Sequence, residues 1–158
     1  MNNIDKLEFK LIDAKKSNEP WAEDCETPIF VVEIYINGKE VVPILKEIEQ
    51  PYCDAEGTPE IAGGYGHNLP EDLYKALSEA IIEGTYSNKY GVELLCCRDC
   101  GFSGCWSAIT HIRQTEDYIY WESFENNHRK NWKYNLSYKF DKAEYDKAMK
   151  QLKSYISN

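Results

Sequence analysis

The sequence predicts an α+β fold: one domain over residues 1–158, with a mainly antiparallel sheet of about five strands and two helices. Three observations predict it. Segments with alternating or unbroken β-prone patterning outnumber those with a helical stripe. Two stretches carry that stripe together with their own start signals. The links between neighbouring strands are mostly too short for the crossovers that parallel pairing needs.

Each element has a local reason. Ile4–Ile12 places Leu7, Phe9 and Leu11 at period two, a strand with one buried face. Residues 15–27 are polar and hold Pro20, with Pro28 just beyond, so they form a loop. Ile29–Gly38 is strongly β-prone and ends in Asn37-Gly38, a hairpin signal. Lys39–Leu45 can return as a short strand, and Pro43 puts it at an edge or only partly in a sheet. Residues 50–70, rich in Gly and Pro, read as a long loop. A helix follows to about Glu83, with Asn68 near its cap, Pro70 in its first turn, and Glu71 and Asp72 at the positive end of the dipole. Its stripe is Leu73, Leu77, Ala80 and Ile81, and Gly84 stops it. Strands are expected at Val92–Cys97, Trp106–Arg113 and Tyr118–Phe124, the last two joined as a hairpin at Glu116-Asp117. A final helix begins near Lys142. Asp141 caps it, Glu144 completes a capping box, and Tyr145, Ala148, Met149, Leu152 and Ile156 share one face.

Composition narrows the class. The 158 residues are 42% apolar and 13% aromatic, a folded rather than a disordered balance. No apolar run nears the ~18 residues that span a bilayer. The N-terminus lacks the basic-then-apolar order of a signal peptide, so a cytoplasmic location is expected, where thiols stay reduced. Residues 1–60 carry net −8, residues 61–125 net −6, and residues 126–158 net +5, giving −9 for the chain. That acidity disfavours nucleic acid or an anionic membrane as partner. The basic end reads most simply as the solvated face of the last helix.

Four of the six cysteines fall between Cys96 and Cys105. Cys97-x-x-Cys100-Gly101 has the form of one zinc knuckle, since two thiolates three apart can hold one ion and the glycine lets backbone amides turn toward sulfur. Cys105 is a candidate third ligand. The fourth would come from His128, Cys96, His111, Cys53 or His67. The competing reading is a tightly packed turn whose reduced cysteines act as small hydrophobes. Redox chemistry is disfavoured, because the pair lies between strands and not at a helix start.

The stretch Trp121–Tyr134 interleaves Trp121, Phe124, His128, Arg129, Trp132 and Tyr134. As structure it is a strand end and loop pinned by aromatics. As a site it offers His128 and Arg129 to an anion beside the ring of Trp132. The Gly63–Gly66 bend, lacking a GK[ST] ending, is not a phosphate loop, but Gly64 could wall a pocket by allowing close backbone approach.

Pro59–Tyr65, Cys97–Ser107, Trp121–Tyr134 and Phe140–Met149 together resemble an uncharacterised family of bacterial proteins. Its pattern is C-G-x-x-G-C-W, then W-x-x-F-x-x-x-H-R-x-x-W-x-Y, then F-D-x-x-x-Y before a C-terminal helix. The resemblance spans roughly residues 40–150 and implies no activity. Cys97-Arg98-Asp99-Cys100-Gly101 opens the cluster more widely than the family's C-x-C-G.

These observations favour a cytoplasmic, acidic, non-enzymatic binding module with a protein partner, of the immunity or antitoxin kind. The alternatives are a small enzyme or anion-binding protein with a pocket near His128, Arg129 and Gly63–Gly66, or a zinc protein using Cys97, Cys100 and Cys105.

Overall fold

The first strand, β1 (Leu7–Asp13), pairs antiparallel with β2 (Phe30–Ile36) along its whole length. The computed structural model describes residues 4–17, 19–82, 91–99, 101 and 105–156. Asn37 and Gly38 turn the chain with φ of 55° and 80°, the left-handed pair that a two-residue hairpin requires. The return strand β3 (Lys39–Glu40) adds two residues to this sheet, in the order β1-β2-β3.

The chain then turns helical, and here the structure differs from the short strand expected over Lys39–Leu45, which ends at Glu40, and from the loop expected from residue 50. Residues 41–56 form α1 (Val41–Glu56), with Val41, Leu45, Glu49 and Cys53 buried at every fourth position. Pro43 lies in the first turn, where its missing N–H costs nothing. Gly57, at φ 80°, ends the helix in a left-handed cap whose N–H reaches Asp54 O and Cys53 O.

A 3-10 turn at Pro59–Ile61 leads to β4 (Tyr65–Gly66) and then to α2 (Pro70–Ile82). Leu73, Leu77 and Ala80 of α2 are buried as its stripe requires. The side chain of Ile81, and Gly84, lie outside the described residues. A second antiparallel sheet, ordered β4-β5-β6-β7-β8, holds β5 (Val92–Cys97), β6 (Ala108–Gln114), β7 (Tyr118–Asn126) and β8 (Tyr138–Asp141). Trp106, expected to open β6, sits in a bend just before it, packed against the core. The last helix is α3 (Lys142–Ser154), and Asp141 caps it by accepting the Glu144 N–H.

The α+β class and antiparallel pairing are therefore as the patterning predicts, with three helices and two sheets among the described residues. One main hydrophobic cluster joins both sheets and all three helices. Trp121 is 0% exposed. Its ring meets Phe140 and Tyr145 edge-on, and its Nε1 donates to Tyr145 Oη at 3.2 Å. A smaller cluster of Ala14, Ala22 and Val31, with Trp21 and Leu69 against it, underlies the 14–29 loop. The sheets meet at Asp5, whose N–H donates to Lys139 O at 2.7 Å while its carboxylate accepts the Lys139 N–H at 2.8 Å. No described helix is long and apolar enough to cross a membrane.

Candidate functional site

The most built polar site lies where the first sheet meets the end of β4. Hairpin register puts Tyr35 opposite Glu40, so Glu33 and Glu40 are diagonal neighbours on one face of the β2–β3 ribbon. That face is turned away from Val32, Ile34 and Ile36, which enter the core. Glu40 is also the N-cap of α1, yet its carboxylate makes no cap bond. It meets His67 Nε2 at 2.8 Å instead.

Behind the imidazole stands Glu19, fully buried. Its carboxylate accepts from Ser17 Oγ and from the His67 backbone N–H. Gly66 makes this possible: a Cβ there would lie 2.9 Å from Glu19 Oε1. The His67 side chain is 5% exposed. Its Nδ1 lies 3.6 Å from Glu19 Oε1, an ion-pair separation too long for a hydrogen bond, and has no hydrogen-bond partner. Burial disfavours the imidazolium, but the carboxylates of Glu19 and Glu40 outweigh it and raise the pKa to about 9.

His67 separates two clefts. One, about 330 Å³, is lined by Glu33, Glu40 and His67 together with Lys16, Lys46 and Arg98. The other, about 270 Å³, is more apolar and is lined by Trp21, Ile29, Val31 and Leu69, with Asp72 at its side.

A second polar knot holds the glycine bend in place. Glu49 of α1 is buried and accepts from Tyr65 Oη, from Tyr134 Oη at 2.6 Å and from Gly63 N at 2.9 Å. Burial pushes its carboxyl above the usual range, although these three bonds work the other way. Asn126 Nδ2 donates to Tyr65 Oη at 2.9 Å. These donors all come from the fold itself, and they give both carboxylate oxygens a partner.

The residues singled out for ligand binding gather around Trp106. His128 stacks on its ring at 6.2 Å and Trp132 meets it edge-on at 5.9 Å. The Arg129 guanidinium lies 5.2 Å from its centroid, and a Cβ on Gly64 would stand 3.8 Å from its Nε1. Arg129 Nε also donates to Glu56 at 3.2 Å, and Trp132 Nε1 donates to the same carboxylate at 3.1 Å. Gly64, Cys97, Cys105 and Trp106 line a further cleft of about 240 Å³.

Of the cysteine cluster, Cys96 and Cys97 are buried on β5 and Cys105 is exposed, whereas Cys100 lies outside the described residues. Burial pushes the Cys96 thiol up to about 12. Among the described residues, the His, Cys, Asp and Glu groups whose ligating atoms come together in threes reduce to Glu33, Glu40 and His67. Sequence reasoning named His67 only as a spare ligand for the cysteines, and it missed Glu19, Glu33 and Glu40. Asn37-Gly38 was the available signal, because that turn fixes the register that sets Glu33 beside Glu40.

With this geometry in view, comparison with known proteins gives no match to any protein family, curated protein or solved structure.

Proposed function

We propose that this protein is a non-enzymatic, acidic binding module of the cytoplasm, receiving a basic segment of a protein partner at the Trp21 cleft. The observation that carries this reading is an apolar cleft with Asp72 in its lining and an exposed, acidic turn following Trp21 in the chain. Trp21, Ile29, Val31 and Leu69 line the cleft, and Glu23, Asp24 and Glu26 are exposed in the turn between Trp21 and Ile29. An aliphatic stem could lie on the indole while its cationic head reaches the carboxylates. The net charge of −9 would steer such a partner inward. A non-enzymatic role accords with Glu19 and Glu49, whose oxygens are taken up by donors from the fold. A cytoplasmic setting accords with Cys53, Cys96 and Cys97 serving as buried thiols. The family resemblance adds a bacterial origin.

The test is fluorescence anisotropy with a labelled Lys/Arg-rich peptide carrying one aromatic residue, against an acidic peptide of equal length. The basic peptide should bind and weaken as salt rises. The triple variant Glu23→Lys, Asp24→Lys, Glu26→Lys should bind it about tenfold less tightly with an unchanged melting temperature. Equal binding of both peptides, no binding, or indifference to the charge reversal would sink this reading.

A further inference from the structure

We propose that Glu33, Glu40 and His67 form a binding site for a first-row divalent metal ion, with His67 ligating through Nε2. One ligating atom from each residue lies within 4.8 Å of the other two. Ligands about 2 Å from a shared ion stand roughly 3–4 Å apart, so modest side-chain rotation closes the set. The three residues come from β2, from β3 and from the residue just after β4, in a frame fixed by backbone pairing.

The outer shell is already in place. A ligating imidazole needs a partner for its other nitrogen, and a buried carboxylate is the usual one. Glu19 stands beside that position, its Oε1 3.6 Å from Nδ1 and its own oxygens anchored by Ser17 and the His67 amide. Nδ1 is buried without a hydrogen-bond partner, and a small turn of the ring toward an ion at Nε2 would bring it to Glu19. Tyr35 Oη donates to Glu33 Oε1 at 3.2 Å and orients that carboxylate in turn. Glu40 leaves the amides at the start of α1 without its side-chain cap in order to face His67, a placement that helix stability does not explain.

The donor set selects the ion. One imidazole nitrogen with two carboxylates suits zinc or manganese, whereas calcium and magnesium prefer oxygen alone. Three protein ligands leave at least one position open. It would face the 330 Å³ cleft, where Lys16, Lys46 and Arg98 could receive an anionic group carried on the metal. The Cys96 thiol, which donates to His67 O at 3.5 Å, stays outside the ligand set.

The test titrates chelator-stripped full-length protein with Zn²⁺ by calorimetry, and with Co²⁺ by absorption. The wild type should take about one ion per chain. The Co²⁺ form should show visible bands without the near-ultraviolet thiolate-to-metal band. Because His67→Gln disturbs a buried ring, the decisive variants are Glu33→Gln and Glu40→Gln, each expected to weaken binding at least about tenfold while the melting curve of metal-free protein persists. Cys97→Ser with Cys105→Ser should leave Zn²⁺ affinity unchanged. No binding by the wild type, a thiolate band, or full affinity in a folded Glu33→Gln variant would each overturn the proposal.

Discussion

His67 keeps its proton at a depth where burial alone would strip it, because Glu19 and Glu40 flank the ring. The consequence for stability has a definite sign. The folded pKa, about 9, lies above the ordinary value of 6.5. Below pH 6.5 folded and unfolded chains both hold the proton, and the contribution is fully present. Between 6.5 and 9 the unfolded chain releases it first, so stability falls as pH rises. Metal-stripped protein should therefore melt at progressively lower temperature across that window, and His67→Gln should flatten the slope. Equal slopes in variant and wild type would remove His67 as the source. Single residues of this kind are poorly legible in sequence. Glu19 looks like any other acid in a polar loop, and its burial follows from what Gly66 allows to approach it.

At the scale of elements, α1 carries its stripe in the sequence beside signals that point away from a helix. Val41, Leu45 and Cys53 recur at helical spacing, but Glu49 breaks the apolar pattern, Pro43 suits an edge strand, and Pro51 falls in a stretch that reads as a loop. Each objection has a tertiary answer. Glu49 is buried because Tyr65, Tyr134 and Gly63 satisfy it, and Pro43 occupies a turn that needs no donor. Pro51 is the true exception, an exposed proline inside the helix that cannot donate to the Glu47 carbonyl. Pro51→Ala should restore that bond. Against a helix-interior penalty of about 3 kcal/mol, the looser unfolded chain returns about 0.4–1 kcal/mol, so a net gain of about 2 kcal/mol is expected in urea unfolding. A loss of stability would show that Pro51 itself is required for packing. By contrast α2 and α3 were legible because their dipole charges and stripes agree, joined in α3 by the Asp141 cap, whereas Asn68 before α2 spends its side chain on Glu93 O and Leu94 O.

For the whole molecule, class was readable and assembly was not. Strand and helix patterns are local, whereas the division into two sheets depends on pairings that local patterning does not encode. Asp5 bonding to Lys139 spans most of the chain, as does Tyr155 Oη donating to Phe9 O at 3.0 Å. β8 was missed for the same reason: Tyr138–Asp141 is four residues long and gains its partners from β7 and Asp5.

The junction at Asp5 also sets an order of events during synthesis. β1 finds β2 soon after both leave the ribosome, but Asp5 just before it is met by β8, and β1 itself by α3, which emerge more than a hundred residues later. Until they emerge, the apolar face of β1 that carries Leu7 and Phe9 lacks part of its cover, the kind of surface on which nascent chains adhere to one another. Chains cut before Tyr138 should sediment as oligomers where the full chain does not, and monomeric truncations would contradict this. β8 and α3 would then act as a built-in chaperone for β1, protecting in the finished protein what they could not protect while it was being made.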